Sequence, residues 1–171
     1  AGVRPQEVQS IRLTAPPLIE RLVGRPARAD MQINYARLCF GYCGATALKR
    51  GAVGLADFTE PALRDADTLA LAARITVASD GGEDPAAFTP QRLEARLSGG
   101  RVETVELSTL YGAPSDPMTP ADVAAKRAEC LAFGFGDARG ESDAALCAAV
   151  ESLARAGSTR RLFDLVSGAA P

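Results

Sequence analysis

The segment Asn34-Tyr-Ala-Arg-Leu-Cys-Phe-Gly-Tyr-Cys-Gly-Ala-Thr-Ala-Leu-Lys-Arg-Gly-Ala-Val-Gly-Leu-Ala-Asp-Phe58 decides how the rest of the chain is read. From Asp30, a residue suited to an N-cap, a helical pattern runs to Arg50 and stops at Gly51, with Lys49 and Arg50 in the last turn where cations suit the helix dipole. Steps of about 100° per residue put Tyr35, Leu38, Tyr42, Ala45 and Lys49 on one face. The other faces are mostly small or apolar, so burial on several sides is expected. Gly41 and Gly44 each cost about 1 kcal/mol of helix propensity relative to alanine, which close approach of a backbone or a ligand would explain.

Towards the N-terminus, residues 7–14 alternate imperfectly and end at Ala15-Pro16-Pro17, a strand stopped by prolines that cannot donate to a ladder. Residues 16–29 read as a connection with one helical turn around Ile19 to Leu22. Towards the C-terminus, Thr59-Glu60-Pro61 starts a helix running from Leu63 through Arg74, and the β-branched Ile75-Thr-Val-Ala run gives a second strand. Leu93 to Leu97 and Val102 to Leu107 form a hairpin across Ser98-Gly-Gly with one wet face. Thr119, Pro120 and Asp122 open a helix to about Phe133, glycines 134, 136 and 140 break the chain, and helices follow over 142–156 and 160–166. The class is α+β: a small antiparallel sheet packed with helices, plus C-terminal helices. The expected division is an α+β domain over 1–135 and a helical segment over 136–171.

A chain of 171 residues, 47% apolar and 23% charged, has ordinary globular composition and enough length for one sizeable core. The formal charge of −2, with both signs interspersed, gives no footprint for nucleic acid. No apolar run approaches the roughly 18 residues that span a bilayer, so no membrane partner is expected. The four cysteines lack the density of a disulfide scaffold, which points to a reducing, cytoplasmic setting. Histidine is absent, removing the commonest general base and the commonest metal ligand together. The sequence opens with Ala1 and enters a strand pattern within a few residues, so it reads as a piece of a longer protein.

Cys39 and Cys43, four apart on the predicted helix, could offer two thiolates to a metal, but structural zinc wants four N or S ligands and buried core cysteines are the better account. The acidic loop Asp80-Gly-Gly-Glu-Asp84 lacks the ligand alternation of a calcium loop, and Arg160-Arg161 reads as an exposed face. No metal or cofactor is expected. Two residues remain. Tyr42 is either a core aromatic whose hydroxyl finds a backbone partner or a site residue, and Arg37 is either an ion-paired surface group or a site residue.

The run Tyr35-Ala-Arg-Leu-Cys-Phe-Gly-Tyr-Cys-Gly-Ala, then Ala47-Leu-Lys-Arg-Gly and Asp57-Phe, resembles the start of the second domain in the MmgE/PrpD family, which includes 2-methylcitrate dehydratase, cis-aconitate decarboxylase and iminodisuccinate epimerase. Asp67 to Val77, Gly99-Gly100-Arg101, Gly112-Ala-Pro-Ser-Asp-Pro-Met-Thr-Pro and Lys126 follow the family's order, so the likeness covers residues 3 to about 135. The terminal helices look like the family's C-terminal return.

The resemblance implies a cofactor-independent lyase or isomerase acting on a small di- or tricarboxylic acid, in a homo-oligomer. It implies Tyr42 as an active-site residue and Arg37 as a substrate-binding one. Arg37 stands where many members have lysine, in a segment that here reads Ala-Arg-Leu-Cys. The catalytic histidines and lysine would come from a large helical domain, so this chain alone is expected to be inactive. Dehydration, decarboxylation and epimerisation beside carboxylates all build negative charge on carbon or on an enolate oxygen, which calls for a positioned proton donor. A tyrosine, with an ordinary pKa near 10, can be that donor at neutral pH. The alternative is a stand-alone interaction or assembly module that keeps the fold without catalysis.

Overall fold

Strand β1, Val8–Ala15, buries Val8, Ile11, Leu13 and Ala15, an inward set that skips one step of the two-residue period. A bulge between Val8 and Ser10 absorbs the extra residue and accounts for the imperfect alternation. The computed structural model describes residues 2–136 and 140–167. They fall into two compact units, Ala1–Met118 and Thr119–Pro171.

In the first unit β2 (Ile75–Ser79), β3 (Gln91–Leu97) and β4 (Val102–Leu107) join β1 in the order β2-β1-β3-β4. The β3–β4 hairpin and the β1–β3 pair are antiparallel. The α+β class holds, but β2 lies parallel to β1, from Ile11 opposite Ile75 to Ala15 opposite Ser79, so the sheet is mixed. The reason is the connection. Residues 16–74 carry α1 (Pro17–Val23), α2 (Ile33–Arg37), α3 (Phe40–Arg50), α4 (Glu60–Leu63) and α5 (Ala66–Ala72), and such a helical crossover returns the chain in its original direction.

The continuous helix expected from Asp30 to Arg50 is two helices. Cys39 between them is extended, its backbone bridges Gly24, and its thiol donates to the Arg25 carbonyl at 3.2 Å. These contacts override a local pattern that favours an unbroken helix. Gln32 stands at the N-cap of α2 and Asp30 in the turn before it. Tyr35 consequently leaves the Tyr42 face: its hydroxyl donates to the Pro26 carbonyl, and the Arg25 and Arg28 guanidinium groups lie over its ring. The helix expected from Leu63 to Arg74 also divides, because Asp65 accepts from the Thr68 amide and caps a new start.

Helix α3 packs on β2 and α5 and contributes to the core that β1, β3 and α5 share, with Ala45 among Val8, Ile11 and Leu97. Gly41 permits the approach: a Cβ there would meet the Ala72 carbonyl oxygen at 3.1 Å and that of Ile75 at 3.3 Å. A second cluster, with Met31, Cys39, Tyr42 and Leu63, fills the space between α3 and the segments on its other side.

In the second unit Thr119 caps α6 (Pro120–Phe135) by accepting from the Asp122 amide at 3.2 Å, as the sequence predicts. Gly134 lies inside that helix, which ends at Gly136. Helices α7 (Gly140–Glu151) and α8 (Arg160–Ser167) follow, and Arg127 on α6 pairs with Asp143 on α7. Among the described residues, no helix is long and apolar enough to cross a membrane.

Candidate functional site

Tyr42 lies in the first turn of α3 and is 1% exposed. Its ring meets Phe58 at 6.1 Å between centroids with the planes tilted by 55°, a favourable aromatic arrangement. Its hydroxyl donates to the backbone carbonyl of Asp57 at 2.5 Å.

The position of that carbonyl follows from how α3 ends. Gly51, at φ 84°, turns the chain out of the helix, and residues Leu55–Phe58 form a 3-10 turn. The Asp57 carboxylate, 7% exposed, accepts from the Gly54 amide at 2.8 Å and from the Arg50 guanidinium at 2.6 Å. The loop is thereby tied back to the last turn of the helix it left. One turn on from Tyr42, Thr46 is 3% exposed, and its Oγ1 lacks a hydrogen-bond partner among the described residues.

Burial pushes the Tyr42 phenol above the ordinary tyrosine value. The Thr46 hydroxyl acts the other way, although it makes no hydrogen bond of normal geometry, and the Asp57 and Asp65 carboxylates and the neighbouring Cys43 add to the rise. The phenol therefore keeps its proton at neutral pH and is a donor, as its expected role requires.

A cleft of about 330 Å³ adjoins this arrangement, with Tyr42 and Thr46 in its floor and Lys49, Arg50, Asp65 and Thr68 around it. Lys49 donates to the Asp65 carboxylate at 2.6 Å and to the Thr68 hydroxyl at 2.9 Å. These bonds, with those from Thr68, hold the Asp65 carboxyl well below the usual range. A roomier cleft of about 450 Å³ gathers Lys49, Asp67 and Arg74 but neither candidate residue.

Arg37 ends α2 and is exposed, its guanidinium 5.7 Å from the centroid of the Phe58 ring. Tyr42 and Arg37 thus share Phe58 as a neighbour, and Arg37 does not line the cleft beside Tyr42. Cys39 is buried and Cys43 half-buried, and both are free. Burial raises both thiols, Cys43 to about 11 with help from the neighbouring Cys39. Among the described residues, no group of three or more metal-ligating side chains comes together.

Asp57 and Thr46 are the residues that sequence reasoning did not single out. For Asp57 a signal existed, since an acidic residue three positions after Gly54 fits a turn cap. Nothing local marks Thr46.

The sequence pattern of the MmgE/PrpD C-terminal domain matches residues 1–151. The chain belongs to the MmgE/PrpD family. The match takes in the whole first unit and, in the second, α6 and α7, reaching beyond the 3–135 stretch on which the resemblance rests. No match was found among curated proteins. Within the matched residues, the first unit holds a buried phenol beside a cleft rimmed by two cation–carboxylate pairs.

Proposed function

We propose that this MmgE/PrpD domain supplies one wall of the active site of a cofactor-independent lyase or isomerase for small di- or tricarboxylic acids. Tyr42 is its proton donor. The observation that carries the reading is the phenol itself: set against a cleft, with its oxygen held in place by the Asp57 carbonyl and its pKa raised by burial, it keeps at neutral pH the proton that a substrate would take in place of that carbonyl. Arg37, exposed on the face of Phe58, is the substrate-binding candidate, since a guanidinium can take a carboxylate in two parallel hydrogen bonds.

The general base belongs to a large, histidine-bearing helical domain, because this chain has no histidine. Residues 1–135 form the smaller domain in this reading, and residues 136–171 return to complete the helical one. The exposed apolar side chains Phe163 and Val166 on α8 suit that return. A homo-oligomer in the cytoplasm is the corresponding setting, in keeping with four free cysteines.

A second reading has an observation of its own. Tyr42 is 1% exposed and its hydroxyl is satisfied within the domain, which is also what a core aromatic in a non-catalytic assembly module looks like. Combining the chain with a histidine-bearing large domain of the family separates the two. Turnover of a small carboxylic acid that depends on both parts supports the lyase or isomerase, whereas a stable assembly without turnover supports the module.

A further inference from the structure

A phenol has one proton to give, and in this domain the proton of Tyr42 rests on a backbone carbonyl, so the place of that carbonyl sets the resting position of the phenolic oxygen and its proton. Backbone carbonyls in short turns move with the turn. What fixes the turn after α3 is the Asp57 side chain, which accepts from Gly54 at one end of the turn and from Arg50 on the helix. The next residue, Phe58, supplies the ring against which Tyr42 packs. Asp57 and Phe58 together therefore hold the phenol at its oxygen and at its face.

We infer that Asp57, clamped by Arg50, is a positioning residue for Tyr42: the carboxylate holds the Gly54–Phe58 turn against α3, and its own carbonyl then fixes where the phenolic hydroxyl points. This rests on the reading of Tyr42 as a proton donor. Thr46 makes the inference testable. Its hydroxyl is buried beside the same cleft floor and has no partner among the described residues, so it is the donor from which the phenolic oxygen accepts once the Asp57 carbonyl is released.

The test reads hydrogen bonding at the phenol directly, at neutral pH. In the chain carrying Tyr35→Phe and Tyr111→Phe, Tyr42 is the remaining tyrosine of three, and the intensity ratio of its Raman Fermi doublet distinguishes a strong donor from a phenol that also accepts. The starting protein should show a strong donor. Asp57→Ala should move the ratio towards the mixed donor and acceptor state, Arg50→Gln should move it part of the way, and Arg50→Lys should restore it. Adding Thr46→Val to Asp57→Ala should remove the mixed state again.

Arg50 is on the surface, so the Arg50→Gln spectrum decides the question if Asp57→Ala does not fold. A doublet unchanged in folded Asp57→Ala, or in Arg50→Gln where the first variant is lost, overturns the inference. If the doublet moves as described while Tyr42→Phe leaves turnover intact, the hold by Asp57 stands and the catalytic role of Tyr42 falls.

Discussion

The surroundings of Tyr42 and the helices after Met118 are built on opposite terms. Around Tyr42 the first unit closes on itself: three clusters of buried residues meet the sheet and its helices, and the phenol, Asp57, Arg50, Lys49 and Asp65 all find partners within it. In the second unit Ala149 is the one buried side chain among those described, while Phe133, Val150 and Phe163 stand exposed, Phe163 at 68%. Its order comes from local devices, the Thr119 cap and the Arg127–Asp143 pair. Helices this short are marginal in water without tertiary packing. The difference teaches that the first unit is held by a core of its own, whereas the described residues of the second bury little and depend on local contacts.

The contrast breaks most readily in the core. Leu97→Ala in the first unit should cost about 3 kcal/mol, the usual range for a fully buried leucine, whereas Phe163→Ala should cost less than about 1 kcal/mol. Urea denaturation of the two variants measures both, and equal costs would erase the distinction between the units. Tyr42→Phe should cost about 1–2 kcal/mol by the same measurement, because it leaves the Asp57 carbonyl without its donor.

Thr119→Ala should cost about 1 kcal/mol, confined to the second unit. Amide exchange should accelerate in the first turn of α6 and stay unchanged in α3. The smallest effect concerns acid. Asp65 titrates below its unfolded value because Lys49 and Thr68 bond its ionised form. Its contribution to stability is therefore complete above about pH 3.9 and is lost as pH falls towards the folded value. Asp65→Asn should flatten that part of the pH–stability curve, and an unchanged curve would show that the carboxylate contributes nothing there.

Legibility in the sequence followed the range of the forces involved. The Gly51 stop, the Thr119 cap and the β3–β4 hairpin are local, and each was readable from neighbouring residues. The break at Cys39 was not, because the residues that cause it, Gly24 and Arg25, lie far back in the chain and nothing in the helical pattern announces them. Parallel pairing of β2 with β1 was hidden for a related reason: it depends on the crossover as a whole. Tyr42 was singled out only through the family resemblance, and the residues that the structure places around it were less legible. Asp57 carried a weak turn-cap signal, and Thr46 becomes noticeable only once burial shows that its hydroxyl is unpartnered.

The most direct measurement is the turnover of Tyr42→Phe when the domain is combined with the proposed histidine-bearing large domain, assayed on a small di- or tricarboxylic acid. The loss of one positioned donor should lower kcat by about 100-fold or more, with KM little changed. A kcat equal to that of the unaltered domain, in a variant that still folds and assembles, would contradict the account and return Tyr42 to the core.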